Sequence, residues 1–259
     1  MSTINTITGR ATNDLSFARI GYENKITSAL SAVYDAVLIP NTWERWESAS
    51  GTVTASFNIA PASKVNYIAI AAHNLFTAGV TEVRVKCVDS GLSSFVTVGS
   101  IRPTSNSPIF FEFDDFDGCA RITVTLVGGT NREIGVIYAG EVLIMQQALY
   151  GGHTPINLAS VTDYRNAMSD TGQFLGRTIR RRGLSSSFAW QNLTEQWYRD
   201  TFKPFVDSAK EKPFFIQWRP DYQSSEVAFG YTTGDIAPNN QGGVTRLVSV
   251  NMSMRAHEE

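Results

Sequence analysis

The side chains that could do chemistry are few in this sequence and form no recognisable catalytic set. The three histidines, His73, His153 and His257, lie far apart in the chain, and none has a second metal ligand at the usual spacing. Nucleophile motifs such as G-x-S-x-G and glycine-rich phosphate loops are absent. Carboxylate pairs for glycoside hydrolysis do not stand out by spacing. We therefore expect no enzyme activity, no cofactor and no tightly bound metal.

One acidic run could in principle hold a cation. Asp114, Asp115 and Asp117 supply carboxylate oxygens of the kind that calcium takes. The run lacks the spacing and the downstream glutamate of an EF-hand loop. We expect a solvated turn at residues 114–118, with a calcium site as the alternative.

Three residues are candidates for a ligand-binding loop: Trp43, His73 and Asn74. The His73-Asn74 pair directly follows a short apolar strand, where polar side chains either meet a ligand or satisfy the backbone of a turn. Trp43 lies three residues before Trp46. It could offer a flat apolar face to a sugar ring, or it could anchor the core.

The sharpest cluster of charge consists of Arg177, Arg180, Arg181 and Arg182. Arginine forks suit carboxylates across an interface or phosphate groups. Because the whole chain is slightly acidic, we expect these arginines to form a contact between subunits. The alternative is a solvated β-turn beside Gly183.

The cysteines and the composition limit the class of protein. Cys87 has the inward parity of its strand, whereas Cys119 has the opposite parity to the apolar residues that follow it, so no disulfide is expected. The 259 residues are 42% apolar and 11% aromatic, which predicts a folded globular chain. The net charge of −2 argues against a general nucleic-acid binder. No apolar run is long enough to cross a bilayer, and the N-terminal residues do not resemble a secretory signal, so we expect synthesis in the cytosol without membrane insertion.

Polar and apolar residues alternate at period two over much of the chain, which is typical of antiparallel sheet. Residues 53–59 and 83–87 alternate, and residues 67–72 between them form a short apolar strand. Residues 109–113 and 120–127 predict two more strands. The predicted fold is all-β, with one clear helix in the second half.

The second half carries that helix and a long closing strand. Two strands are expected around a turn at Gly183, followed by a helix capped at Asn192, with Glu195 three residues later. Pro204 should kink or end this helix. The apolar residues at helical spacing are Tyr198, Phe202, Phe205, Val206 and Ala209.

Composition divides the chain into four parts. We expect a lead-in at residues 1–40, a β-sandwich at 41–146, a polar, glycine-containing linker at 147–172 and a second β unit at 173–259.

Each unit resembles a known family in strand order and aromatic placement. In the first unit the tryptophan pair, an alternating strand, the apolar strand ending in His73-Asn74 and a second alternating strand resemble a discoidin-like (galactose-binding-like) jelly roll. In the second unit the segments WYRDTFKPFVDSA, KPFFIQWRP and VSVNMSM resemble the tail-tube-type module of bacteriophage tails.

The two resemblances together imply a structural virion protein at the tail tip of a long-tailed bacteriophage, such as a distal tail or minor tail protein. They imply assembly in the host cytoplasm, partners such as the tail tube, tape measure and tail hub proteins, and a hexameric or trimeric ring. The jelly roll would then be a scaffold or would bind a host surface glycan. We expect the ring to form through residues 177–183 and the edge of the sheet that contains residues 244–254. The alternative is a soluble, lectin-type carbohydrate-binding protein.

Overall fold

The computed structural model describes residues 16–89, 91, 94–242 and 244–257. Strands account for 57% of the structure and form two sheets, with one helix of 15 residues. The predicted all-β class is confirmed. Among the described residues, no helix is both long enough and apolar enough to span a bilayer.

Fifteen strands are present in the described part of the chain. In chain order they are β1 (Arg19–Gly21), β2 (Ile26–Ala29), β3 (Trp46–Ser50), β4 (Val53–His73), β5 (Val80–Asp89), β6 (Val96–Ile101), β7 (Ile109–Gly128), β8 (Thr130–Gly140), β9 (Leu143–Ile144), β10 (Ser160–Met168), β11 (Phe174–Thr194), β12 (Phe214–Gln217), β13 (Val227–Thr232), β14 (Pro238–Asn240) and β15 (Leu247–Ala256). Short 3₁₀ helices span Ala32–Leu38 and Ile156–Leu158.

The strands divide between a seven-stranded and an eight-stranded sheet. The seven-stranded sheet has the order β3-β8-β4-β7-β5-β6, with β2 paired to β4. The eight-stranded sheet has the order β10-β11-β15-β13-β12-β1-β9, with β14 paired to β15. All strand pairs described are antiparallel, as the period-two pattern predicts.

The first sheet encloses its own core because its two longest strands change partners midway. The first half of β4 pairs with β2 and β7, and the second half pairs with β7 and β8. Register shifts between Asn58 and Tyr67 mark bulges, which bend a strand. Phe57 and Ile68, from the two halves of β4, therefore pack in one apolar cluster.

The same bulges correct two predictions. Residues 114–118 do not form a turn: β7 runs through them, with Phe116 opposite Val65. Cys119 does not face outward, because the bulge reverses the side-chain parity and brings it into the core with Cys87. Both cysteines are free thiols.

The helix packs against the second sheet as its apolar spacing predicts. It consists of an α-helical turn (Glu195–Trp197), a π-helical turn (Tyr198–Phe202) and an α-helical segment (Lys203–Ala209), together called α1. The predicted apolar positions are all buried in the second core cluster. Pro204 does not end the helix: α1 continues through it to Ala209, with the π-helical turn directly before it. The cap is Thr194, whose hydroxyl accepts from Trp197 N, and not Asn192.

The N-terminal lead-in and the predicted linker both contribute strands, which differs from the sequence-based division. Within the lead-in, β1 lies between β12 and β9 of the second sheet, whereas β2 belongs to the first; residues 1–15 lie outside the described part. The linker contains β10. Whether the two units fold separately stays a prediction.

The two sheets also share an apolar interface. Tyr138 of β8 packs edge-on against Phe215 of β12, with ring centroids 5.4 Å apart, and its hydroxyl donates to Pro213 O at 3.2 Å. Beside this cluster, Arg19 Nε of β1 contacts Glu112 Oε2 of β7 at 3.0 Å, with the Arg19 side chain fully buried. An apolar cluster and an ion pair therefore connect the sheets.

The closing strand β15 alternates as predicted, but it does not provide a free edge. Val248, Val250, Met252 and Met254 are buried, while the residues between them are more exposed. However, β11 pairs with β15 on one side, and β13 and β14 pair with it on the other. The strand at residues 247–256 is therefore not itself a free edge, and assembly through the edge of this sheet stays a prediction. The open edge on that side of the sheet is β10.

Candidate functional site

The most unusual surface feature is a two-stranded ribbon, residues 160–183, which we call the arm. Its strands pair with each other from Ser160 opposite Leu184 to Met168 opposite Phe174. The pairing of β11 with β15 begins only at Leu184, so β11 residues before it have no second strand partner among the described residues. Because β10 has 9 residues, the arm extends about 30 Å at the usual rise per residue.

Large apolar side chains lie exposed on the arm. Two cross-strand pairs, Tyr164 with Ile179 and Met168 with Phe174, are apolar on both strands. Exposed fractions of between 43% and 66% are found for Val161, Tyr164, Met168, Phe174, Leu175 and Ile179. The arm therefore presents apolar surface that no described residue covers.

The four predicted interface arginines lie on this arm, but not at a turn. Gly183 is inside β11, so the predicted turn there is wrong and all four arginines follow one continuous strand. Arg177 Nε donates to Asn166 Oδ1 at 2.8 Å, and its guanidinium lies 4.4 Å from the centre of the Tyr164 ring. Arg177 is therefore used to order the arm.

Arg181 and Arg182 line a cleft of about 580 Å³ at the base of the arm, which we call the basic cleft. Its floor is the middle of β11 with the ends of β13 and β15, one wall is the C-terminal end of α1 with the residues that follow it, and residues 40–42 form the rim. The charged side chains around it are Arg181, Arg182, Lys210, Lys212, Arg255 and Glu211. Five cations therefore share this cleft with one carboxylate.

Few of these cations have an acidic partner. Lys210 Nζ lies 3.4 Å from Asp207 Oδ1. Arg182, Lys212 and Arg255 form no ion pair with any described residue, and the same holds for Arg181. His257 also lines the cleft, and burial, followed by the nearby charge of Arg45, lowers the pKa of His257, which favours a neutral imidazole.

Strand packing fixes the floor of the cleft. Gly230 of β13 lies so close to β15 that an added Cβ would fall 2.1 Å from Arg255 O. Only glycine fits there, and its absence of a side chain lets β13 and β15 pair tightly beneath the cleft. His257 N then donates to Phe229 O at 3.0 Å, which continues the ladder.

Trp43, a candidate for the ligand loop, is 90% exposed, so the core-anchor alternative is wrong for this residue. Trp46 takes the core position and packs edge-on against Tyr34 at 4.9 Å. Asn41 Oδ1 accepts from the backbone N–H groups of Trp43 and Glu44, at 3.0 and 2.8 Å, which shapes the loop. Trp43 therefore presents a bare indole face from an ordered turn.

His73 and Asn74 instead have structural contacts. His73 is 3% exposed, its Nδ1 accepts from Leu75 N at 3.4 Å, and burial lowers its pKa to about 4. Asn74 Oδ1 accepts from Glu133 N and its Nδ2 donates to Asn131 O, both at 2.8 Å. These contacts fit the turn alternative, and they place Asn74 at the same end of the sandwich as Arg45, which also contacts Glu133.

The acidic run lies apart from these features. Asp115 contacts Lys64 Nζ at 3.3 Å and accepts from Asn66 Nδ2 at 2.9 Å, so its carboxylate takes part in the structure of the sandwich. In the described part of the chain, no group of three or more His, Cys, Asp and Glu side chains is placed to hold a metal.

Sequence reasoning found only part of the basic cleft. The arginine cluster was visible as a run, but Lys210, Lys212 and Arg255 come from other elements and join it only through the fold. A further signal was the isolated Gly230 within a strand pattern, which indicates close approach of another backbone.

Comparison with solved structures gives several matches over about half of the chain. The chitosan-binding module 1 of a chitosanase/glucanase from Paenibacillus sp. IK-5 matches at 13% identity and a TM-score of 0.39, with 47% of this chain and 98% of that one covered. An F5/8 type C domain from Bacteroides fragilis matches at 10% identity and 0.37, covering 43% and 87%. The CBM32 of AlyQ in complex with 4,5-unsaturated mannuronic acid matches at 16% identity and 0.37, covering 49% and 98%.

These matches concern modules of the kind that the discoidin-like resemblance implies, and at these TM-scores they carry no argument about function. Nothing in the comparisons supports the tail-protein resemblance. No family model matches the chain, and no curated protein matches it.

Proposed function

We propose that this protein is a non-enzymatic structural component that assembles with copies of itself through the arm. The observation that carries the proposal is the exposed ribbon formed by residues 160–183, with apolar cross-strand pairs and an open β10 edge. An isolated two-stranded ribbon is only marginally stable in water. Soluble monomers also rarely leave contiguous apolar surface uncovered. A second copy that packs on the arm would stabilise the ribbon and would also bury its apolar surface.

Charge favours another copy of this chain as the occupant. The arm contains five arginines and two aspartates and therefore carries +3, while the remaining residues carry −5, so that the chain totals −2. A positive arm is attracted to the negative body of a neighbouring copy, and such complementarity mainly fixes orientation and partner choice. A head-to-tail contact of this type closes into a ring when its rotation fits, and otherwise continues as a filament.

The tail tip of a long-tailed bacteriophage is the setting that we propose for such a ring, on the strength of the tail-tube-type resemblance of the second unit. The tail tube, tape measure and hub proteins would then be neighbours in the virion. The first sheet, joined to the second at the Tyr138–Phe215 contact, would be held outside the ring.

The test is the mass of the particle in solution for the wild type and for an arm variant, Tyr164→Ser/Ile179→Ser. These two side chains are 47% and 43% exposed and oppose each other across the arm. Each fully buried apolar side chain contributes about 1.5–3 kcal/mol, so the variant should raise the dissociation constant by roughly a hundredfold or more. Native mass spectrometry and light scattering over a range of concentrations measure this.

The matched control is Phe76→Ser/Tyr222→Ser, which removes two exposed aromatics outside the arm. The proposal predicts that the control assembles like the wild type. A wild type that stays monomeric at high concentration, or a control that dissociates as readily as the arm variant, would contradict it.

A second candidate function, carbohydrate binding by the first unit, is favoured by the exposed indole of Trp43. An exposed aromatic on an ordered loop is a suitable platform for the apolar face of a sugar ring. Two of the three matched modules are described with a sugar ligand, but this candidate rests on Trp43 alone. Binding to a glycan array that Trp43→Ala abolishes, with unchanged particle mass, would support it; an array without any bound glycan would remove it.

A further inference from the structure

The basic cleft needs an explanation beyond assembly. Arg181, Arg182, Lys212 and Arg255 converge on it without an ion pair to any described residue, and Glu211 is the one carboxylate in the lining. Like charges gathered in a concave site repel each other, and low-dielectric walls strengthen this repulsion. An arrangement of this kind is stabilised when an anion enters.

The shape of the cleft fits a small ligand. Its volume of about 580 Å³ lies within the usual range of roughly 300–1,000 Å³ for small-molecule sites. The lining also contains apolar surface from Leu184, Pro213 and the half-exposed ring of Tyr231. A ligand with both anionic groups and apolar ring faces would match both kinds of lining.

We infer that the basic cleft binds a short acidic oligosaccharide, with its carboxylates held by Arg181 and Arg255, which lie on one face of the sheet, and a sugar face against Tyr231. Guanidinium groups match carboxylates because they can donate two parallel N–H···O hydrogen bonds. Aromatic rings accommodate the C–H faces of sugars. Trp43 itself does not line the cleft, although residues 40–42 form its rim, and Lys212, Tyr231 and Arg255 of the cleft lie outside the arm.

Nucleic acid fits these features less well. Proteins that bind long nucleic acids present an extended basic stripe, and their domains are strongly basic overall. Here the excess of positive charge is limited to the arm and the cleft at its base, and the chain outside the arm carries −5. A long polyanion would meet this negative surface, whereas a short acidic saccharide would contact the cleft alone.

The experiment is calorimetric titration of the purified full chain with tetragalacturonate. Parallel titrations use the neutral galactose tetrasaccharide, inorganic phosphate and a short single-stranded oligonucleotide. We expect binding of the uronate, little or no binding of the neutral sugar, and weaker binding as salt rises. Tighter binding of phosphate or the oligonucleotide than of the uronate would overturn the proposed ligand class. Failure of the wild type to bind the uronate would overturn the site.

Two double variants with the same change in charge distinguish binding in the cleft from general attraction of the anionic ligand to a positively charged surface. Arg181→Ser/Arg182→Ser removes two cations from the cleft, and Arg177→Ser/Arg180→Ser removes two from the same strand outside it. Loss of a charge-assisted hydrogen bond lowers affinity by roughly tenfold or more. We expect at least that loss for the first pair and little change for the second.

A third variant, Lys212→Ser/Arg255→Ser, guards against effects of the arm on folding or assembly, because neither residue lies on the arm. It should lose affinity like the first pair, while native mass spectrometry shows unchanged particle mass. Equal loss in the cleft variants and in the control pair would mean that binding is non-specific, and the inference would be wrong.

Discussion

Removing the charge of Glu112 should strongly destabilise the protein, because Glu112 and Arg19 form a buried ion pair between the two sheets. Arg19 Nε lies 3.0 Å from Glu112 Oε2, and the side chains are 0% and 8% exposed. In Glu112→Gln the size is kept, but the buried guanidinium loses the charge of this carboxylate. At an effective dielectric constant of about 20, the Coulomb attraction at this distance is roughly 5 kcal/mol.

The measured cost of breaking a buried pair by removing one partner is about 3–5 kcal/mol, and we expect the Glu112→Gln variant to fall in this range. Urea unfolding followed by circular dichroism gives the free energy of unfolding. The double variant Arg19→Met/Glu112→Leu should recover most of the loss, since apolar residues of similar volume can replace a buried pair at little cost.

A matched control is the half-exposed pair of Arg45 and Glu133, whose Nη1–Oε2 distance is 2.5 Å and whose side chains are 36% and 35% exposed. Solvent screens this pair, so Glu133→Gln should cost less than about 1 kcal/mol. If Glu112→Gln cost no more than Glu133→Gln, the ion pair would not connect the sheets energetically and the reasoning would be refuted.

Three further results are expected. The pKa of His73 is lowered to about 4, so between pH 6.5 and 4 the unfolded chain binds a proton that the folded chain does not. The free energy of unfolding should therefore decrease by up to about 3 kcal/mol as the pH falls through this window, and by less in His73→Gln. Urea unfolding at each pH measures this. Gly230→Ala should destabilise by roughly 3 kcal/mol or more, because its Cβ would lie 2.1 Å from a β15 carbonyl; a melting temperature like that of the wild type would contradict this. Cys87 and Cys119 should react with a thiol reagent only after unfolding, since both side chains are fully buried and out of reach of the reagent; fast labelling of the native protein would disprove it.

Local periodicity correctly predicted the strands and the helix in which buried residues recur at a regular spacing. The alternation of β15 and the apolar face of α1 appear in the structure as expected, because both depend on neighbours at fixed spacing. Side-chain parity failed at Cys119, where a bulge inserts an extra residue. A bulge uses the same glycines and polar residues as a turn, which is why residues 114–118 were predicted to be a turn; Gly183, also predicted to be a turn, lies in a regularly paired part of β11.

Contacts between distant parts of the chain could not be predicted from local patterns. The insertion of β1 between β12 and β9 brings the N-terminal residues into the second sheet, and no periodicity records which strand pairs with which. The basic cleft depends on the same kind of contact, because its cations come from β11, α1 and its following turn, and β15. The sequence left open whether Trp43 meets a ligand or anchors the core, and only the structure shows that the neighbouring Trp46 takes the core position.

The most direct test of the proposed assembly is hydrogen–deuterium exchange of the β10 backbone amides at low and high protein concentration. If copies pair through the arm, the amides of Ser160–Met168 should exchange quickly in dilute solution and slowly in concentrated solution, and the Tyr164→Ser/Ile179→Ser variant should lose this difference. Exchange of these amides at the same fast rate at every concentration would contradict the account.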